Sequence, residues 1–509
     1  MKSDEKNDHG DGIRNITVKL AGGSGTALAG AVAGDILRFL LQIVLGRALG
    51  AGGYGLYSLG FGLVTAVGQF ITFGLQDGVV RFCALYSGEG DGRRLKGVVY
   101  VALVITGLGG LIAAVILFFL TGPVCRFLFH KDELAVIFKI LLIFLPFCGL
   151  TRILACIARS LQKITVYTVI QYLFHPAVNL LTVLALTAFT LTPAGAGWSA
   201  TMAWVVVAFA GGWMVLRSCP ALLEPVVPVY EIRKLMGFSF PVFLTGLSYI
   251  VATQCDRVVL GALVPAGELG VYNAASRVAI QSWFFLQVLG TIFAPVISDL
   301  HNRGRMDELA SLYRTVTRWT VTLTMPVTIV FVVFAGEVMS MFGADFAGGG
   351  TILTLLAVFY FTSTVAGPAT LMLTMTGRPV IQLINSMVII IITVVLNLLL
   401  ARMYGTLGAA FATGLSVVVS TVLRLVEVYY LYRIHPFNMD YIKPFLAGAA
   451  AAGVAAVVRR ALPEVVWPLI AFALFLCYIL VLSVTGFSAE DRQVFAAGRK
   501  RVGFLHKNR

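Results

Sequence analysis

The sequence predicts an all-α integral membrane protein of about fourteen transmembrane helices, built as two pseudo-symmetric six-helix lobes in a parallel repeat plus two C-terminal helices. Three observations lead there. First, 59% of the 509 residues are hydrophobic and only 12% charged, with a mean hydropathy of +0.91, whereas a soluble domain carries about 25% charged residues. Second, apolar runs extend for about 20 residues, the length of a helix crossing a ~30 Å hydrocarbon layer; barrel strands would alternate over about 10. Third, LGRALGAGGYGLY at 45–57 returns as LGALVPAGELGVY at 260–272. At a constant offset of 215 residues, Leu45, Gly46, Ala51, Gly52, Gly55 and Tyr57 match Leu260, Gly261, Ala266, Gly267, Gly270 and Tyr272, which suggests one structural unit used twice.

Residues 1–20 form a polar N-terminus in which Lys2, Lys6, Arg14 and Lys19 are balanced by Asp4, Glu5, Asp8 and Asp11. That is too long and too mixed for the basic start of a signal peptide. Ala27, Leu28 and Ala29 resemble a cleavage site but stand at the beginning of the apolar run, so no cleaved signal is expected. Spans are predicted near 24–46, 56–78, 97–121, 134–158, 165–190 and 197–216, giving an N-lobe over 21–216. Pro220, Pro225 and Pro228, followed by Arg233 and Lys234, mark an inter-lobe linker over 217–237. The C-lobe, 238–432, takes spans near 238–263, 272–298, 315–338, 350–375, 380–401 and 406–431. Two more, near 442–460 and 466–486, fill 433–487 before a basic tail at 488–509.

Positively charged connections resist translocation. With an even number of spans both termini share a side, and that side collects most of the 38 basic residues. The opposite connections hold six: Arg47, Arg126, Lys131, Arg402, Arg459 and Arg460. Both termini are therefore expected on the cytoplasmic face of the cell membrane. The net charge of +14 follows from this topology and from contact with anionic lipid heads, so nucleic-acid binding is not needed to explain it. Both repeat copies then lie where an odd-numbered span leaves the outer side. Six spans separate them, so the lobes are expected about a pseudo-two-fold axis along the membrane normal, enclosing a cavity that rocks between inward-open and outward-open states.

Gly30 with Gly34, Gly46 with Gly50, and Gly74 with Gly78 are GxxxG spacings suited to close helix approach. Prolines at 146, 176, 295, 326 and 368 offer bend points within spans. Gly50, Gly52 and Gly55 also spell GxGxxG with Asp77 downstream, the form of a dinucleotide fingerprint. The preceding run is a membrane span and not a short strand, and the second copy has Pro265 at the first glycine, so tight turning accounts for these glycines. The seven cysteines are scattered through apolar runs with no CxxC pair and read as packing residues. No metal site or cofactor is expected.

Charges inside spans carry the functional signal, since each costs roughly 2.5–3.5 kcal/mol at mid-bilayer when it faces lipid. The basic ones are Arg38, Lys139, Arg152, Arg257, Arg277 and Arg424; the acids are Asp35, Asp77, Asp256 and Glu427. Asp35 with Arg38 and Arg424 with Glu427 are spaced i,i+3, so each pair can neutralise itself. Asp256 and Arg257 are about 100° apart on a helix and cannot both face lipid. By depth, Arg152 lies in the inner third, Arg38 near the middle, and Lys139, Arg257 and Arg277 in the outer third. A ladder of cations through a bilayer suits a crossing anion, because no single site then binds too tightly to release. A phosphate or pyrophosphate group fits, with arginine donating paired hydrogen bonds. The substrate-contacting set is thus Arg38, Arg152, Arg257, Arg277 and Lys139, with snorkelling open for Lys139 and Arg277. Asp35 and Asp256 are candidates for an ion pair or a coupling ion. His175 is the one mid-span histidine and reads as a packed residue before a proton relay.

GRALGAGGYGLY at 46–57, CDRVVLG at 255–261, GVYNAA at 270–275 and YGTLGAAFAT at 404–413 resemble the polysaccharide-transporter branch of the multidrug/oligosaccharidyl-lipid/polysaccharide exporter superfamily. The resemblance covers residues 20–432. It implies two six-helix lobes around a cationic cavity, and a flippase that carries undecaprenyl- or dolichyl-pyrophosphate oligosaccharide from the cytoplasm to the outer face, not an enzyme. Asp256 and Arg257 match that branch's seventh-span pattern and carry over best. The implied partners are the lipid-linked oligosaccharide, membrane lipids, and the glycosyltransferases and polymerase of the same pathway, with a monomer as default. Two other readings stay open. A cation-coupled multidrug antiporter of the same superfamily would favour a cavity dominated by acids, and a membrane-embedded glycan ligase or polymerase would carry catalytic acids or large soluble loops.

Overall fold

The computed structural model describes residues 4–376, 378–437, 439–461 and 466–485. The basic tail lies outside the described residues, as do the side chains of the polar N-terminus. Among the described residues every regular element is helical. Among the described residues nine helices are long and apolar enough to cross a membrane, or up to ten if a bent pair is taken as one span. Large apolar side chains stand exposed along them, Phe127 at 81% and Phe119 at 76%, as expected of a surface solvated by lipid.

The chain divides into two compact units, Met1–Gly270 and Val271–Arg509. The first holds α1 (Asp4–Phe70), α2 (Leu75–Gly88), α3 (Gly92–Pro123), α4 (Asp132–Leu142), α5 (Leu145–Ser160), α6 (Ile164–Thr168), α7 (His175–Thr187), α8 (Pro193–Ser218) and α9 (Ile232–Leu263). Then come α10 (Ala266–Ala279), which crosses the boundary, α11 (Phe284–Asn302), α12 (Met306–Val333), α13 (Ala335–Ser340), α14 (Gly350–Val365), α15 (Ala369–Met375), α16 (Pro379–Tyr432), α17 (Ile442–Ala461) and α18 (Trp467–Thr485).

Glycine and proline decide where these helices break. α1 runs through the first expected span and into the second as far as Phe70, with non-helical backbone inside it at Gly50, where φ is 65°, a left-handed conformation natural to glycine. α16 likewise joins two spans through Gly405, at φ 58°. The expected span at 56–78 is not continuous. Phe73 (φ 45°) and Gly74 (φ 71°) turn the chain, Thr72 Oγ1 donates back to Gln69 O at 2.8 Å, and α2 starts afresh at Leu75. α4 and α5 meet at 44°, with Pro146 in the first turn of α5, where its missing N–H is harmless. Pro326, by contrast, sits inside an unbroken α12.

Between α6 and α7 the chain makes a π-helical turn, Val169–Phe174. Pro176 has no N–H for the carbonyl four residues back, that of Tyr172, and the helix widens there. Gly34 of α1 packs directly on that Tyr172 carbonyl, and a Cβ on Gly34 would lie 2.9 Å from its carbon. One turn earlier Gly30 meets Thr168. The Gly30/Gly34 spacing thus does bring two backbones together. Gly74 does the same against the Ser239 backbone of α9, and Gly78 meets the Ser239 side chain.

In the first unit the core is built by α2, α3 and α5, with Val79, Phe82, Val98, Ala102, Ile153 and Ile157 buried together. The linker between α8 and α9 is tied across the start of α3. Val229 N donates to Arg93 O at 3.0 Å, Arg93 Nε to Val227 O at 3.2 Å and Lys96 Nζ to Glu224 O. In the second unit Ile297, Leu309, Tyr313, Met372 and Val428 form a core, fixed by Tyr313 OH donating to Ala366 O at 2.8 Å. All seven cysteines are unpaired, and Cys83, Cys125, Cys148 and Cys219 are buried.

Candidate functional site

The two copies of the repeated stretch touch. A Cβ on Gly55 would collide with the carbonyl oxygen of Ala266 and lie 2.9 Å from Gly270 N, while a Cβ on Gly270 would collide with the carbonyl oxygen of Ala51 and lie 3.0 Å from Gly55 N. Since 51 matches 266 and 55 matches 270, each copy offers the other the same pair of atoms, the signature of a local two-fold contact. Matched residues are equally sequestered: Leu45 and Leu260 are both 0% exposed, Tyr57 is 3% and Tyr272 0%. The glycines that spell the dinucleotide fingerprint therefore serve a helix break at Gly50 and a backbone-to-backbone contact at Gly55.

α9 carries Asp256 and Arg257 beside this corner. Its face toward α1 is lean: a Cβ on Gly261 would lie 3.0 Å from Leu59 of α1 and from Phe129, and Gln254 Oε1 lies 3.5 Å from where Gly62 would carry a Cβ. Asp256 is buried, and its Oδ1 accepts from Arg257 N at 2.9 Å. The half-buried Arg257 guanidinium donates from Nη1 to Gln254 Oε1 at 2.9 Å. Its Nε is buried with no hydrogen-bond partner among the described residues, and no carboxylate there lies within ion-pair distance of it.

Asp35 and Arg38 form the ion pair their spacing allows, Nη2 to Oδ1 at 2.7 Å with both side chains about 40% exposed. The Arg38 guanidinium carbon stands 6.0 Å over the Tyr172 ring, on the π-helical turn. His175, next along that segment, stacks on Trp204 with centroids 4.1 Å apart. Both His175 Nε2 and Trp204 Nε1 are buried without a hydrogen-bond partner among the described residues.

The remaining cations have other company. Arg152 stands on α5 one turn after the buried Cys148. Lys139 is exposed and holds its ammonium 5.1 Å over Phe118, itself exposed on α3. Arg277 falls in the last turn of α10 and belongs to the second unit. Arg424 and Glu427 do not bond each other among the described residues: Glu427 accepts from Asn385 Nδ2 at 2.6 Å, and Arg424 Nε is buried unpartnered.

Some polar residues on or against α9 gave no signal as contacts in the sequence. Gln254 gave no charge signal. Arg81, assigned to a connection, lies inside α2 with its guanidinium 4.4 Å over Phe238 of α9. Lys131, read as a loop residue, donates to two carbonyls at the end of α9, Gly261 O at 2.6 Å and, one residue past the helix, Val264 O at 2.9 Å.

Comparison with known proteins supplies the context. Residues 20–301 match the family described as "Polysaccharide biosynthesis protein". The chain is 22% identical over 213 residues, 42% of its length and 45% of the relative's, to the "Probable low-salt glycan biosynthesis flippase Agl15" of Haloferax volcanii; it thus spans about half the length of that curated relative. Its fold is similar to that of the lipid II flippase MurJ in an inward closed conformation, with a TM-score of 0.70 at 15% identity over 90% of this chain and 98% of that one. It is also similar to an inward-facing multidrug resistance MATE family transporter of the MOP superfamily, at TM-score 0.68 and 15% identity over 78% of this chain and 94% of that one.

Proposed function

The chain belongs to the polysaccharide biosynthesis protein family, in the polysaccharide-transporter branch of the exporter superfamily, and from that premise we propose that it flips a lipid-pyrophosphate-linked oligosaccharide from the cytoplasmic to the outer face of the cell membrane by alternating access. The observation that carries the reading is Arg257. An arginine whose Nε is buried without a partner, and which no described carboxylate neutralises, is costly by about 1–3 kcal/mol or more. That cost is offset when an anion arrives. Arg152 and Lys139 likewise lack a carboxylate within ion-pair distance among the described residues, so the cations of the first unit outnumber their counter-ions.

In this reading fourteen spans cross the membrane: the two halves of α1, α3, α4–α5, α6–α7, α8, α9, α10–α11, α12, α14–α15, the two halves of α16, α17 and α18. Both termini are cytoplasmic. The repeat relates spans one to six to spans seven to twelve, and the reciprocal contact at Gly55 and Gly270 supports that frame. Arg38, Arg152, Arg257, Arg277 and Lys139 contact the pyrophosphate at successive depths, and Asp35 and Asp256 tune or couple the cycle. Glycosyltransferases and a polymerase of the same pathway supply and consume the substrate.

The test is reconstitution. Arg257→Ala should insert and fold normally in proteoliposomes yet no longer flip a pyrophosphate-linked glycan, and normal flipping by that variant defeats the site assignment. The antiporter alternative shares the fold, so the same vesicles separate the two: a cation gradient driving export of a cationic drug, unaffected by Arg257→Ala, would favour it.

A further inference from the structure

We propose that Lys131 is a latch that holds the corner of α9 and α10 against α1, and that this corner is the outer gate of the transport cycle. The inference rests on the alternating-access reading above. The end of a helix leaves its last carbonyls without N–H donors. At the end of α9, Gly261 O and Val264 O receive the Lys131 ammonium instead, at 2.6 and 2.9 Å. Phe129 O takes its third direction, at 3.4 Å. A cation at a helix C-terminus is favoured also by the helix dipole.

The loop is shaped for the task. His130 adopts φ 52°, Lys131 N donates to Cys125 O at 3.0 Å, and Arg126 pairs with Asp132 at 3.1 Å, so the backbone on either side of Lys131 is held. Phe129, 2% exposed, wedges against Gly261. Immediately beyond, the Gly55/Ala266 and Gly270/Ala51 contacts close the backbones on each other. Those glycine contacts are weak individually. The ammonium is the strongest bond across the seam, and because its acceptors are neutral carbonyls it lets go without parting an ion pair.

Spin labels read the seam directly. A Cβ at Gly52 or at its repeat partner Gly267 meets nothing within 4 Å, so Gly52→Cys and Gly267→Cys can be labelled with the accessible native Cys156, Cys255 and Cys477 replaced by serine. Double electron–electron resonance should give one short distance in the parent. Lys131→Met should raise the ratio of separated to closed molecules about tenfold or more, the worth of a charged hydrogen bond, and Lys131→Arg should restore the short distance. If Lys131→Met leaves the distribution unchanged while Gly270→Leu widens it, the latch is refuted and the gate stands. If no variant, Gly270→Leu included, separates the labels although the protein flips substrate, alternating access at this corner falls and the latch with it.

Discussion

Replacing Gly270 with alanine puts a methyl group onto the carbonyl oxygen of Ala51, an atom of the backbone that cannot rotate aside. Two effects oppose each other. Gly270 lies inside α10, where alanine stabilises the helix by about 0.8–1 kcal/mol. Overpacking against rigid neighbours costs about 1–3 kcal/mol, and the depth of the overlap places this case at the upper end. The net expectation is a loss of about 2 kcal/mol, read as a fall of a few degrees in the unfolding midpoint in detergent. Gly55→Ala should behave alike, because it meets Ala266 O in the same way. The double variant carries the sharper expectation. Once one methyl has pushed the two helices apart, the second finds room, so the pair should cost about as much as either alone and not their sum. Gly52→Ala and Gly267→Ala serve as controls at the same corner, since neither Cβ meets anything within 4 Å; they should be neutral or stabilising. An additive double variant, or Gly270→Ala as benign as Gly267→Ala, would refute the reciprocal contact.

Two further expectations concern other parts of the chain. Asn385→Leu removes the donor to Glu427 and leaves a carboxylate unpaired inside α16, so it should destabilise the protein by about 1–3 kcal/mol, while Glu427→Gln combined with Asn385→Leu should recover part of that loss; a neutral single variant counts against the bond. At the linker, the Tyr86 hydroxyl, helped by Lys234 and Arg94, holds Glu231 below its ordinary carboxylate value of 4.5. The stabilisation is therefore complete above about that pH and is lost as pH falls through the lowered value. Hydrogen exchange across 224–235, corrected for its intrinsic pH dependence, should quicken in the parent as pH falls below the ordinary carboxylate range and be already faster at pH 7 in Tyr86→Phe; unchanged protection in both comparisons contradicts this.

What the sequence disclosed depended on the range of the cause. The membrane class and the turning glycine at Gly50 were legible because apolar run length and φ preference are properties of a few neighbouring residues. The repeat was legible because backbone contact at Gly55 and Gly270 forbids a side chain, and such positions tolerate no alternative residue. The turn at 71–74 was hidden, since Ile71, Thr72, Phe73 and Gly74 continue an apolar run with no proline. Pro176 was visible as a bend point, but its consequence, a carbonyl freed for Gly34, needed the partner helix. Lys131 was read as one of six cations on the sparse side. Its acceptors lie 130 and 133 residues away and are backbone atoms, which leave no imprint on residue type.

The repeat also explains why chemistry gathers on one copy. At the offset of 215 residues Arg257 corresponds to Gln42, and Leu269 to Tyr54. In the first copy Tyr54 OH donates to Gln42 Oε1 at 2.7 Å, so the polar group at that position is satisfied by its own copy. In the second copy Leu269, fully buried like Tyr54, has no hydroxyl to offer. The residue at 257 must look elsewhere, and it reaches Gln254 one turn back with a single nitrogen while its Nε stays unpartnered. Asp256 stands where the first copy has the buried Leu41. The seam residues Ala51/Ala266 and Gly55/Gly270 are identical because the contact needs the same surface from both sides. The polar positions beside it are under no such constraint. One copy fills them with a closed hydrogen bond and the other with a cation whose Nε has no partner among the described residues, so the proposed binding of an anion at this corner rests on the α9 side alone.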